Sequence, residues 1–194
     1  MEQDRTPITI RDIRDEDIPA ITKIYNDIVA NTTATYEVDP PSPSTMNDRL
    51  SAVRTAGFPC LVAASSDSEV ILGYAYASAF RSRPAYRFSV EHSVYVASNA
   101  RARGVGRQLM QALVNECERL GFRQMIAVIG DGGPSSPSVL FHQKLGFKIS
   151  GTLEGSGYKF GRWLDTVLMQ LAIGGGAGSR PDPASLPEVK LREE

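Results

Sequence analysis

Apolar positions recur along the chain in two periods, and the switches between them outline its elements. Ile8-Thr9-Ile10 alternates at period two, as a half-buried strand does. Ile18, Ile21, Ile24, Tyr25 and Ile28 then share one face of a 3.6-residue period. Asp15-Glu16-Asp17 opens that helix, because acids suit the positive end of the helix dipole. The Pro40-Pro41-Ser42-Pro43 cluster marks a loop, and a second helix is predicted over 44–56. Residues 60–64 and 70–79 read as antiparallel strands joined across Ser65-Ser66-Asp67-Ser68, and 87–96 as a third strand after a polar loop. Val105, Leu109, Leu113, Cys117 and Leu120 form the next helical stripe. A strand at 124–129, a helix at 136–145 and strands at 148–153 and 164–171 follow. Early helices, an antiparallel meander and a β-α-β-α-β ending predict a mixed α/β (α+β) sheet.

Composition narrows this picture without changing it. The 194 residues suit one domain, assigned to 1–173, and 42% hydrophobic content suits a globular protein. From Gly174 the chain turns to Gly-Gly-Gly-Ala-Gly-Ser and prolines, so 174–194 is expected to be a flexible tail. A net charge of −1 argues against nucleic acid as a partner, and no apolar run approaches a membrane span. The start, Met1-Glu2-Gln3-Asp4-Arg5, lacks a signal-peptide core, so a cytoplasmic protein is expected. Cys60 and Cys117 fall on apolar faces and read as buried free thiols. With only two histidines, His92 and His142, no metal site is expected.

The chemistry concentrates at Val94-Tyr95-Val96-Ala97-Ser98-Asn99-Ala100-Arg101-Ala102-Arg103-Gly104-Val105-Gly106-Arg107. A strand runs through a polar turn into a helix that begins at two glycines. The first amides of such a helix lack intrahelical partners and point at the positive end of its dipole, a ready seat for a pyrophosphate. A P-loop would need Lys-Ser/Thr after the last glycine, where Arg107-Gln108 stands. A dinucleotide fold would need an acid about 20 residues on, where Met125 and Ile126 stand. Arg101-x-x-Gly104-x-Gly106 after a valine-rich strand resembles the pyrophosphate motif of the GNAT superfamily of acetyl-CoA-dependent N-acetyltransferases. That resemblance implies a mostly antiparallel central sheet of six to seven strands with about four flanking helices. It also implies acetyl-CoA as co-substrate, with Arg101, Ala102, Arg103, Gly104, Val105, Gly106 and Arg107 holding its pyrophosphate.

Acetyl transfer to an amine needs a base for the ammonium proton, donors for the thioester oxygen and an outlet for the thiolate. Alternation along 87–96 puts Glu91, Ser93 and Tyr95 on one face and Val90, His92, Val94 and Val96 on the other. Glu91 among valines is a candidate general base, since burial raises a carboxyl pKa. A salt bridge to Arg87 or Arg81 is the alternative, and His92 reads as a packed histidine. The resemblance adds backbone contacts to the thioester and pantetheine at Val94, Tyr95 and Val96. It also implies a second contact at Ser135 and Ser138, on the helix ending Leu145-Gly146-Phe147. There Ser135 replaces the usual asparagine, and Asp131-Gly132-Gly133-Pro134 lengthens the loop. His142 stands where many GNAT enzymes carry a tyrosine that protonates the thiolate; a polar residue on a helix face is the other reading.

Ile24-Tyr25-Asn26-Asp27, Asn31-Thr32-Thr33-Ala34, 90–96 and Lys159-Phe160-Gly161-Arg162-Trp163-Leu164-Asp165 are similar to the phosphinothricin and methionine sulfoximine N-acetyltransferases, also described as L-amino acid N-acyltransferases. The group acts on small amino-acid-like amines, and a homodimer is expected. Arg81 and Arg83 are candidates for the ligand's anionic oxygens, with Tyr36, Phe80 and Tyr86 as walls and Glu91, His92 and Ser93 alongside. Phe160 and Leu164 stand where the phosphinothricin-type enzymes have histidines. Acetylation of a protein N-terminus or lysine, or CoA binding without catalysis, are the competing functions.

Overall fold

The structure, a computed structural model, describes residues 7–133 and 135–193. Seven strands form one sheet: β1 (Ile8–Asp12), β2 (Cys60–Ser65), β3 (Ile71–Ala79), β4 (Ser89–Val96), β5 (Gln124–Gly130), β6 (Lys148–Lys159) and β7 (Arg162–Ala172). Their order is β1-β2-β3-β4-β5-β7-β6, and only β4 and β5 run parallel. Every residue of β2 is buried, because helices cover both faces of the sheet there. On one face α1 (Ile18–Asn31) and α2 (Pro43–Thr55) bury Ile21, Ile28 and Leu50 against Val62 and Tyr74. On the other, α3 (Val105–Arg119) buries Leu109, Leu113 and Cys117 against Leu61, Ala75, Val90 and Met125. Helix α4 (Pro137–Lys144) follows on this second side. Cys60 and Cys117 are buried free thiols, and burial pushes both up to about 12.

The mixed, mostly antiparallel sheet matches the sequence expectation, and most boundaries lie within two residues of it. Three differences have physical causes. Asp15–Asp17 is a short 3-10 turn rather than the first turn of α1, because Asp17 turns back to accept from the amide of Arg14 and is held by Arg11 at 2.7 Å. Strands β6 and β7 are longer than expected, since a register shift between Leu153 and Gly157 interrupts the alternation that marks a strand. Where a flexible tail is expected, residues 174–193 run back over the domain and end in α5 (Leu186–Glu193). Leu186 packs on the α3-side core, and Glu188 pairs with Arg87, partners far away in sequence that local composition does not reveal.

Lys159, at the end of β6, ties the hairpin to the far side of the molecule. Only 4% exposed, its ammonium donates to the carbonyls of Val29 (2.8 Å), Thr32 (2.9 Å) and Thr35 (3.0 Å). It thereby caps the negative end of α1 and fixes the 32–35 loop. Lys159→Met should therefore lower unfolding free energy by about 2–3 kcal/mol, as buried carbonyls lose their donor. Urea denaturation of the variant against wild type measures this.

Candidate active site

The site begins where two strands part. The β4–β5 pairing covers only Ser89–Glu91 against Gln124–Ile126, although β4 runs on to Val96. Beyond that point β5 stays with β7, pairing with it along its whole length. The amide of Ala97 donates to Leu72 and that of Phe80 to the carbonyl of Ser89, so odd-numbered residues of β4 face β3. The amides of Val94 and Val96 therefore point into the opening toward β5. A cleft of about 740 Å³ fills the gap, with Val94, Tyr95 and Val96 on one wall and Ala127 to Asp131 on the other.

The 97–107 turn closes one end of this cleft. Gly104 is the N-cap of α3 at φ +82°, and Ala102 before it also takes a positive φ of +60°. An L side chain at Gly104 would be strained, so the glycine is needed first for its backbone conformation. At Gly106 a Cβ would only touch Phe141 and Val96 at 3.5 Å. Arg101, Ala102, Val105 and Arg107 line the cleft, and Arg103 stands outside it. The three arginines are exposed and form no ion pair among the described residues, so their charge is available to an anion.

Helix α4 supplies the opposite side. Its N-cap is Ser136, whose hydroxyl accepts from the amide of Val139 at 3.3 Å. Ser136, Ser138, Phe141 and His142 line the cleft, whereas Ser135 is an exposed turn residue outside it. Pro134 lies outside the described residues.

Alternation along β4 holds as expected. His92 points to the α3 side, where its ring stacks on His142 at 5.1 Å and meets Phe147 edge-on. Both are buried. Nδ1 of His142 donates to the carbonyl of Ser138 at 2.7 Å, which leaves Nε2 with its lone pair. Burial, with the charge of His142 adding to it, lowers His92 to about 3; His142 is lowered too, against the pull of Ser138.

Glu91 points to the α1 side. It is half-buried and forms no hydrogen bond or ion pair among the described residues. Burial raises its pKa, and the charge of Arg81 works against that rise. The alternative pairing with Arg87 is absent, because Arg87 is taken by Glu188 at 2.7 Å. Ser93, next on this face, reaches the cleft. Beyond the end of β3, Arg81 lies over the ring of Phe80 at 4.3 Å and Tyr86 meets that ring edge-on at 5.9 Å. Arg83 is exposed on the same loop.

Tyr36 is not part of this aromatic group. Its hydroxyl donates to the carbonyl of Asp165 (2.7 Å) and accepts from the amide of Asp131 (3.2 Å) and from Thr166 (3.1 Å). Its ring fills the space above Gly130 and Gly157. Ile28, Thr32, Thr33 and Ala34, which the sequence does not single out as site residues, line the cleft from the end of α1. Thr33 donates to Asp131 at 2.8 Å, and Asp131 pairs with Arg162. The Asn31-Thr32-Thr33-Ala34 motif was the available signal, though it gives no hint of a role.

Residues 10–168 match the acetyltransferase (GNAT) domain family. The chain is 44% identical to a phosphinothricin N-acetyltransferase of Alcaligenes faecalis over 94% of this chain and 91% of the relative. It is 42% identical to an L-methionine sulfoximine/L-methionine sulfone acetyltransferase of Pseudomonas paraeruginosa, over 85% and 94%. The crystal structure of a GNAT superfamily phosphinothricin acetyltransferase from Sinorhizobium meliloti, in complex with AcCoA, aligns with a TM-score of 0.88 at 46% identity. That alignment covers 93% of this chain and 96% of the other. An opened β4–β5 pair, a glycine-capped helix at its mouth and these likenesses together show that the chain belongs to the GNAT acetyltransferase family.

Proposed function

We propose that this enzyme transfers acetyl from acetyl-CoA to the α-amine of a small amino-acid-like substrate, directly and with Glu91 as general base. Phosphinothricin, methionine sulfoximine, methionine sulfone and L-amino acids are the substrate candidates, in line with the relatives' names. The observation that carries the reading is the half-buried carboxylate of Glu91, without a hydrogen-bond or ion-pair partner among the described residues, three residues along β4 from an amide that opens into a cleft. The pyrophosphate of acetyl-CoA suits the amides at Gly104–Gly106 with Arg101, Arg103 and Arg107 near them. Its thioester oxygen suits a strand amide at Val94 or Val96. The amine nitrogen bonds the carbonyl carbon while the carbon–sulfur bond breaks. Glu91 takes the ammonium proton, directly or through water, and the second proton leaves the nitrogen for the sulfur. With Nε2 unprotonated, His142 serves this second transfer as a shuttle, accepting the proton before passing it on. Arg81, with Arg83, holds the ligand's anionic oxygens, and Phe80 keeps the guanidinium of Arg81 in place.

Trp163 is 70% exposed, Tyr158 59% and Phe160 58%, an apolar ribbon on β6–β7 that supports a homodimer through this hairpin. Two unpaired thiols suit a reducing cytoplasm.

A thiol-release assay with acetyl-CoA and a panel of amino acids tests the function. Release for no amino acid, with release for peptides, would replace the substrate class. Glu91→Gln should lower kcat by about 10²–10⁴-fold with little change in either KM, because proton transfer is lost and shape is kept. Arg81→Ala should lower kcat/KM about ten- to a hundredfold for amino acids and leave a simple amine unaffected, as steady-state kinetics with both classes will show.

His92 gives a pH prediction. Its unfolded value near 6.5 falls to about 3 on folding, so the unfolded chain gains a proton that the native state refuses. Stability should fall as pH drops from 6.5 toward 3, and His92→Phe should flatten that slope in thermal melts.

A further inference from the structure

The segment after β7 reaches the loop that presents Arg81 and Arg83, and its contacts there are specific. It is anchored first at the end of α3. The amide of Leu186 donates to the carbonyl of Leu120 at 3.0 Å, and Ser185 packs where Gly121, at φ +92°, has no side chain. A Cβ at Gly121 would lie 2.4 Å from that of Ser185, so the seat depends on this glycine. The side chain of Leu186 enters the apolar cluster and lies against Gly57.

From this anchor Glu188, 20% exposed, accepts from Arg87 at 2.7 Å (Nη2) and 3.3 Å (Nε). The remaining Nη1 of Arg87 donates to the carbonyl of Pro84 at 3.2 Å, and its guanidinium covers the ring of Phe88 at 4.5 Å. One side chain therefore links α5 to the 3-10 turn Pro84–Tyr86. Tyr86 packs on Phe80, and Phe80 carries Arg81. The path Glu188–Arg87–Pro84/Tyr86–Phe80–Arg81 is continuous, and Glu91 stands two residues inside the strand that follows the loop.

We propose that Glu188 is a positioning residue for the amine site, which through Arg87 fixes the 80–88 loop in the conformation that presents Arg81 and Arg83. The role of the loop rests on the function proposed above. Glu188 touches neither reactant in this scheme; it acts through Arg87. The ion pair is half sheltered from water, and its loss frees both Arg87 and the turn that Arg87 holds.

The test measures two independent quantities on the full chain. Hydrogen exchange follows the amides of 80–88 with no substrate present, and steady-state kinetics follow both substrates. In Glu188→Gln the 80–88 amides should exchange several-fold faster while those of 105–119 keep their protection. The amine KM should rise about three- to tenfold, with kcat and the acetyl-CoA KM unchanged. Arg87→Glu should show the same pattern, and adding Glu188→Arg to it should restore both readouts. Unchanged exchange at 80–88 overturns the proposal, as does faster exchange through the whole chain or a parallel rise of both KM values. If wild type acetylates no amino acid, the substrate reading fails, and the exchange experiment still decides what Glu188 holds.

Discussion

The site depends on the early parting of β4 and β5. Parallel strands joined by a helix usually stay paired, and here the pairing stops after Glu91. Strand β5 has a better partner in β7, with which all seven of its residues are in register, so it swings away from β4. What remains is a wedge whose β4 wall carries unpaired amides and whose mouth is the start of α3. Ligands of open α/β sheets sit in such crevices at the carboxyl ends of parallel strands. The unpaired amides would be costly in a closed core, and they are tolerated because the wedge is open to water or ligand.

The two faces of β4 hold different ionisable groups. On the α1 side, Glu91 keeps a carboxylate in a setting that raises its pKa and gives it no hydrogen-bond or ion-pair partner among the described residues. On the α3 side, two histidines are held neutral by burial, with the tautomer of His142 fixed by Ser138. A group able to accept a proton thus lies on each side of one strand, and the Val94 and Val96 amides open between them. Lys159 and the Thr33–Asp131–Arg162 group brace the end of α1 against the β5–β7 side, so the far wall of the cleft is fixed as well.

Much of this was legible in the sequence because it leaves a side-chain pattern. Period-two alternation assigned Glu91 and His92 to opposite faces, and the apolar stripe from Val105 to Leu120 located α3. The wedge itself was not legible, since backbone amides leave no mark and strand divergence depends on β7, far along the chain. Ser136, which caps α4 and lines the cleft, was not legible, because N-capping depends on backbone geometry that a motif does not carry. Tyr36 was grouped with Phe80 and Tyr86 by residue type, although its hydroxyl is committed to Asp131, Asp165 and Thr166. Glycines and prolines give no sign of the contacts of 174–193 with Gly57, Arg87 and Gly121, which are set by tertiary structure.

The central claim is that the β4 amides facing the wedge receive the acyl-CoA chain. Amide hydrogen exchange resolved to single residues, with and without saturating CoA, tests it most directly. The account predicts strong new protection at Val94 and Val96, with Tyr95 unchanged because its amide already faces β3. Protection confined to the 101–107 turn, with Val94 and Val96 exchanging as before, would contradict it.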